Sequence, residues 1–255
     1  MKIKILGCGS SVGVPCLHYG WGNCDPRNPK NFRTRASIII EKENTSLLVD
    51  MSPDLRQQLL RYENPKIDAV IFTHEHYDHT NGINELRPMF LGTDRSLPIY
   101  ANKEIIDNIH KMFFYLFRDT DNPIYRPYMN VNIISDTFKI GDISGSYFEQ
   151  NHGFSKSMGI RIGNFAYSTD VVSFPKESFE RLKNLDLWIV GCLSYEKKST
   201  HANVDQILKW AEQLKPRQIF LTHMGDSLDY DTLEKNLPEN IRPAYDGLEL
   251  TIDDE

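Results

Sequence analysis

Ile71-Phe72-Thr73-His74-Glu75-His76-Tyr77-Asp78-His79 decides how the chain folds and what it can bind. The segment begins where an apolar, strand-like run over residues 68–72 ends. On a helix, side chains two residues apart diverge. Along extended backbone, positions 74, 76 and 78 project to one side. A strand end running into a tight loop would therefore converge His74, His76 and Asp78, with His79 turned in by the loop. Three imidazoles and a carboxylate within six residues are more than one tetrahedral zinc needs from a single segment, so two metal ions sharing the cluster is the economical reading. The plain alternative is a solvated, histidine-rich loop. Three of the eight histidines fall in these six positions, directly after an apolar strand, which favours metal.

Outward from that segment, strand-like patterns cover residues 2–6, 36–41, 46–50, 97–101, 131–134, 144–150, 158–162, 165–168, 185–190, 218–221 and 248–252. Ser52 before Pro53 reads as an N-cap and first helical position, leading into Leu55, Leu59 and Leu60. Asn102 caps a longer helix whose Ile105, Ile106, Ile109, Met112, Phe113, Leu116 and Phe117 share one face. Asn203 with Gln206 reads as a capping box before Val204, Ile207, Leu208, Ala211 and Leu214. Strands with helices interspersed in both halves predict an α/β fold of two sheets packed face to face and covered by helices. No repeat or linker divides the chain, so residues 1–255 are expected to form one domain. Residues 7–35 are a long stretch rich in Gly, Pro and Asn, a length usually found in functional or disordered loops.

Composition removes other classes. Hydrophobic residues at 40% and charged residues at 25% match an ordinary globular protein. The longest apolar stretches, residues 36–40 and 69–72, are strand-sized and too short to span a bilayer. The amino terminus alternates like a strand and lacks the apolar core of a signal peptide, so a cytoplasmic protein with no membrane partner is expected. With 29 basic against 35 acidic side chains, a net charge of −6 argues against coating nucleic acid, which rests on neutralising many phosphates. A small phosphate ester held by a few local groups stays open. Cys8, Cys16, Cys24 and Cys192 form no C-x-x-C pair and are expected as reduced, largely buried thiols.

The segment His74 to His79 resembles the H-x-H-x-D-H signature of the metallo-β-lactamase superfamily. The resemblance implies a four-layer αββα sandwich with two divalent metal ions at one edge, between the sheets. It also implies later ligands, and the sequence offers each in order: His152 after a strand, Asp170 ending another, His223 ending a third. The implied assignment is His74, His76 and His152 on one metal, Asp78, His79 and His223 on the other, and Asp170 bridging. Zinc, manganese and iron all suit such a set of imidazoles and carboxylates.

Within the superfamily, antibiotic-hydrolysing zinc members usually carry a cysteine where this chain has Asp170, and the di-iron redox branch replaces the second histidine, here His76, with glutamate. Glyoxalase-type thioesterases end in helices, whereas this chain ends in a strand-like run. The opening Leu6-Gly7-Cys8-Gly9-Ser10-Ser11-Val12-Gly13-Val14-Pro15 instead resembles the phosphodiesterase branch, which includes transfer RNA 3′ endonucleases and phosphoribosyl cyclic phosphate phosphodiesterases. Ser199-Thr200-His201-Ala202-Asn203 before a helix and the ending Tyr245-Asp246-Gly247 fit the same branch. The resemblance implies hydrolysis of a small cyclic or nucleotide-like phosphodiester by a metal-bridging hydroxide, with His201 as general acid and Asp78 and Asp170 in the catalytic centre. The alternatives are a transfer RNA 3′-processing endonuclease, for which no extended basic arm is visible, and a thioesterase or lactonase acting on acyl bonds. Relatives often form homodimers.

Weaker signals remain. Cys16, His18 and Cys24 offer three ligands for a structural zinc but lack close cysteine spacing. Arg33 and Arg35 suit a phosphate geometrically, and equally suit a solvated loop. Phe113 and Phe117 read as core, while Phe114, Tyr115, Tyr125 and Tyr128 are candidates to roof the site. His18 and His110 receive no role.

Overall fold

The computed structural model describes residues 1–62, 65–118 and 126–253. Strands β1 (Lys2–Gly7), β2 (Ser37–Lys42), β3 (Thr45–Val49), β4 (Ala69–Ile71), β5 (Leu97–Ala101) and β6 (Met129–Ile133) build one sheet. A second is built by β7 (Thr137–Ile140), β8 (Ile143–His152), β9 (Ser155–Ile162), β10 (Phe165–Ser168), β11 (Leu187–Gly191), β12 (Gln218–Thr222) and β13 (Ile241–Pro243). The last strand, β14 (Glu249–Thr251), returns to the first sheet beside β1, giving the order β14-β1-β2-β3-β4-β5-β6. The second sheet runs β13-β12-β11-β10-β9-β8-β7. Helices α1 (Leu55–Leu60), α2 (Tyr77–Thr80), α3 (Lys103–Met112), α4 (Lys176–Glu180), α5 (Val204–Leu214) and α6 (Tyr230–Asn236) complete the αββα layers.

Each sheet changes character along its width. Pairings from β14 to β3 are antiparallel and those from β3 to β6 parallel. In the other sheet β7 to β10 are antiparallel and β10 to β13 parallel. The parallel halves carry the near-continuous apolar runs expected of strands covered on both faces, such as Leu187–Gly191. The antiparallel β1 alternates, with Ile3 and Ile5 buried and Lys4 reaching Glu41 at 2.8 Å. One hydrophobic cluster joins residues of both sheets, from Ile3 and Val70 to Trp188 and Leu221.

The two strands that pattern reading leaves out, β7 and β13, are the edges of the second sheet. Both are short, and β13 ends in Pro243, a residue that sheets confine to edges. Three helix readings change. α1 starts at Leu55 with Asp54 at its N-cap, because the Ser52 hydroxyl is engaged with Gln58 at 3.0 Å and with the Asp54 amide. α3 is capped by Asn102 as expected but stops at Met112, which is exposed, and Phe114–Leu116 tightens into a 3₁₀ turn. At α5 the Asn203 carbonyl accepts from the Gln206 amide, but the Gln206 side chain donates to Val172 O rather than closing a reciprocal box.

The long first loop is held rather than loose. Gly9 bridges both Arg35 and Met224, and Val14 pairs with Arg33. At Gly7 a Cβ would lie 2.2 Å from the Arg35 carbonyl oxygen, so the chain passes too close for any side chain.

Candidate metal centre

Most of the functional residues follow the carboxyl ends of β4, β10 and β12, strands with parallel partners, where α/β sheets characteristically form their sites, and His152 comes from the end of the antiparallel β8. β4 ends at Ile71 and delivers His74 and His76 on extended backbone. The next four residues then coil into α2, which turns Asp78 and His79 inward together. Asp78 therefore arrives from a helical turn and not, as extended spacing suggested, on one line with His74 and His76. His152 closes β8, Asp170 lies two residues beyond β10, and His223 follows β12 directly.

All seven residues converge. His74, His76 and His152 form one group, and Asp78, His79, Asp170 and His223 another, each with its ligating atoms within 4.8 Å of one another. The Asp170 carboxylate lies between the groups. Its Oδ1 is 3.9 Å from His74 Nε2 and 3.6 Å from His152 Nε2. Its Oδ2 is 3.1 Å from His79 Nε2 and 3.4 Å from His223 Nε2. One oxygen per group is the arrangement of a bridging carboxylate.

These donors fit divalent metal. Donors about 2.0–2.1 Å from a tetrahedral ion lie about 3.3 Å from each other. His79 Nε2 to Asp78 is 3.1 Å, and His223 Nε2 to Asp78 is 3.3 Å. The buried Nε2 atoms of His74 and His79 have no hydrogen-bond partner among the described residues, a costly state for a nitrogen with no ion to bind. Burial and the neighbouring His79 push His74 far below the usual histidine value, so it is a neutral donor. Burial alone would raise Asp170, but the imidazoles of His223, His79 and His74 hold it well below the carboxylate range. Burial opposes charge on His79 and His223 as well, yet the adjacent carboxylates raise both. Metal binding would replace those protons.

Supporting contacts fix the rings. Asp50, which directly follows β3, the neighbour of β4 in the sheet, is fully buried and accepts from His79 Nδ1 at 2.7 Å, the Thr73 amide at 2.7 Å and the Thr73 hydroxyl at 2.8 Å. His152 Nδ1 donates to Thr200 O at 2.8 Å, leaving Nε2 for the centre. Asp50, Asp170 and His223 have φ of +64°, +49° and +53°. Such left-handed backbone costs about 1–3 kcal/mol per residue and gathers at functional sites.

His201 lies outside these two groups, and with His152 and Asp170 it forms a third set of donors within 4.8 Å of one another. Its Nδ1 is 3.6 Å from Asp170 Oδ1, and its ring stacks on His223 at 4.9 Å and meets His152 edge-on at 4.7 Å. The loop is locked there because the Ala202 amide donates to Val171 O and the Leu193 amide to Ala202 O. Burial and the adjacent His223 push His201 down to about 3. It lines a cavity of about 580 Å³ together with Ser10 and Ser11 of the glycine-rich opening. That opening reaches the site because the Ser10 amide donates to Met224 O, one residue after His223.

Several expected residues lie elsewhere. Arg33 is 1% exposed, its guanidinium spent on Gly225 O, Leu228 O and Asn31, so it braces the first loop and is closed to substrate. Arg35 is tied to Asp54 at 3.0 Å and to Ser11 O. All four cysteines are free and buried, as expected. Cys24 donates to Asp226 O and Cys16 accepts from the Tyr19 amide, and the described residues do not gather Cys16, His18 and Cys24 into a metal-binding group. Phe113 and Phe117 pack against the core and Phe114 and Tyr115 are exposed, whereas Tyr128 is buried and donates to Ile83 O rather than roofing the site. Tyr125 lies outside the described residues. His110 contacts Phe117, and His18 contacts Tyr19. Asp50 was missed; its signal was a carboxylate directly following the apolar β3.

Residues 45–224 match the model of the β-lactamase superfamily domain. The chain belongs to the metallo-β-lactamase superfamily. It is similar to a diphosphatase of the PhnP family over 99% of this chain and 98% of that one, at 29% identity and a TM-score of 0.88. It is 32% identical over 259 residues to an octanoyltransferase of Porphyromonas gingivalis, covering 100% of this chain and 52% of that protein, so it spans about half of that relative's length. It shares the fold of zinc-bound PqqB from Methylobacterium extorquens, with a TM-score of 0.74 at 18% identity, covering 99% and 100% of the two chains. The chain thus joins the metallo-β-lactamase fold to a histidine–aspartate cluster that could hold metal. Among the described residues no helix is long and apolar enough to cross a membrane.

Proposed function

We propose that this metallo-β-lactamase relative is a metal-dependent phosphodiesterase acting on a small cyclic or nucleotide-like phosphodiester, with residues 1–255 working as one catalytic domain. His74, His76 and His152 would hold one divalent ion, Asp78, His79 and His223 a second, and Asp170 both. Zinc, manganese or iron would suit this donor set. Bound ions would supply the positive charge that polarises a phosphoryl oxygen and acidifies water. Asp50 and Thr200 orient the ligand rings.

The observation that carries the reading is His201, an imidazole beside Asp170 that opens onto the cavity. A departing alkoxide needs a proton, whereas a thiolate, whose conjugate acid has a pKa of about 8.5, needs one far less. A dedicated acid at this place therefore favours an oxygen leaving group. Burial and the adjacent His223 disfavour the charged form of His201, and an anionic diester beside it would favour that form and so the proton to be passed on. The full-length resemblance to a PhnP-family diphosphatase supports the same chemistry.

One observation favours a second reading. The Porphyromonas gingivalis relative carries the name octanoyltransferase, an acyl chemistry. Side-by-side turnover of a generic phosphodiester and a generic octanoyl thioester by metal-loaded protein separates the two. Diester hydrolysis that a chelator abolishes supports our reading, and thioester hydrolysis alone overturns it.

A further inference from the structure

The cavity beside His201 is far larger than one phosphoryl group requires. Its volume of about 580 Å³ falls inside the ~300–1,000 Å³ range of small-molecule sites. Two separate loops wall it, residues 10–23 of the first loop and residues 193–201, with residues 225–227 behind. Each of those two loops contributes an exposed aromatic ring, Tyr19 at 71% and Tyr195 at 43% exposure. Ser11, Asn23 and Ser194 add neutral hydrogen-bonding groups.

The charge on the walls is informative. Beside His201, the charged lining residues are Lys198, Glu196 and Asp226. Lys198 pairs with Glu196 at 2.8 Å on the exposed rim, so the walls hold two carboxylates against one cation and are negative on balance. A subsite for a further phosphate needs the reverse, since anions are held by guanidinium, ammonium or amide donors. Carboxylates and hydroxyls suit the hydroxyl groups of a sugar or alcohol, and exposed tyrosines suit the π-face of a ring.

We infer that this cavity is the leaving-group subsite, and that it selects an uncharged, ring-bearing alcohol while rejecting one that carries a second phosphate. The inference rests on the phosphodiesterase reading. The placement follows from His201, because the residue that protonates the leaving oxygen must border the space the leaving group occupies. Tyr19 and Tyr195 are the specificity-determining residues, and Asp226 supplies the discrimination by charge.

Calorimetric binding to metal-loaded protein tests this with three methylphosphonate esters, phenyl, ethyl, and phenyl bearing a phosphate on its ring, each titrated at a temperature and over a time at which phosphorus NMR shows no cleavage. The expected order places the phenyl ester roughly tenfold tighter than the ethyl ester, the scale of losing one stacked ring. The ring-phosphorylated ester should bind no better than the phenyl one. Tyr195→Ala and Tyr19→Ala should each shrink the ratio of phenyl to ethyl affinity toward one, and Asp226→Asn should improve only the phosphorylated ester. Equal affinity for phenyl and ethyl, or tightest binding of the phosphorylated ester, overturns the inference. Binding needs no turnover, so the two readings fail separately: a phenyl preference without diester hydrolysis keeps the cavity and removes the reaction, and hydrolysis without the preference does the opposite.

Discussion

Asp50→Asn isolates how much the buried carboxylate behind the centre contributes. Asparagine keeps the size and tolerates the left-handed φ of +64° at this position, so backbone strain is unchanged. What is lost is charge and acceptor capacity. Asp50 accepts three hydrogen bonds of 2.7–2.8 Å, two from Thr73 and one from His79 Nδ1. An amide keeps one acceptor oxygen and turns an NH₂ group toward a donor, so at least one buried donor goes unpaired. A charge-assisted bond is worth about 1.5–3 kcal/mol, and an unsatisfied buried donor costs about 1–3 kcal/mol. The expected destabilisation is thus about 2–4 kcal/mol, which lowers the melting temperature by roughly 4–16 °C in a chain of this size. His79 also loses the contact that fixes its tautomer, and such outer partners typically contribute 10–100-fold in metal affinity. Thermal denaturation with and without chelator, with competition titration against a metal-binding dye, reads both effects. Metal affinity within twofold of wild type would refute the claim that Asp50 positions His79.

His201→Ala should lower turnover of an alkyl phosphodiester by about 10²–10⁴-fold with metal content unchanged, and should affect a nitrophenyl ester far less because that leaving group needs no proton. Steady-state rates on both esters check it. Arg33→Met should destabilise the fold by about 1–3 kcal/mol, because the Leu228 carbonyl loses its donor while Gly225 O keeps the Leu228 amide and Asn31 Oδ1 the Tyr230 amide, yet leave KM unchanged; denaturant unfolding and kinetics together test this. The Asp229 carboxylate caps α6 and accepts from the Thr232 and Asp25 amides and from Asn31. Partial burial works against it, but these donors lower it to about 2. A depressed carboxylate stabilises the fold above its unfolded value of about 3.9, and that contribution is lost as pH falls through about 2. Asp229→Asn should therefore lower stability at neutral pH and flatten its pH dependence between about 4 and 2, as followed by circular dichroism. Chelation should lower the melting temperature of wild-type protein, in proportion to the free-energy linkage of bound metal, and restoring zinc or manganese should recover it.

The site was more legible than its surroundings. His74, His76, Asp78 and His79 stand in one short segment behind an apolar strand, so spacing carried them, whereas His152, Asp170 and His223, each at or just past a strand end, were found through the family resemblance. Asp50 escaped because a carboxylate at a strand end looks like an ordinary turn residue until its partner 29 positions away is known to be a ligand. Arg33 was misjudged for a related reason. A basic residue in a glycine-rich loop reads as exposed, and only tertiary packing shows three acceptors closing around it. Strands with long apolar runs were readable from pattern alone. The edge strands β7 and β13 were not: Pro243 argues against a strand at β13, and β7 offers only two apolar residues alternating with exposed Thr137 and Lys139. α3 ended early because Phe114–Leu116 tightens into a 3₁₀ turn, an outcome that helical spacing alone does not encode.

Anomalous diffraction from zinc-loaded crystals tests the central claim most directly. The account predicts two peaks per chain, about 3.5–4 Å apart as in other two-metal sites, one against His74, His76 and His152 and the other against Asp78, His79 and His223, with Asp170 touching both. No peak at these residues, or a single ion with Asp170 unengaged, would contradict it.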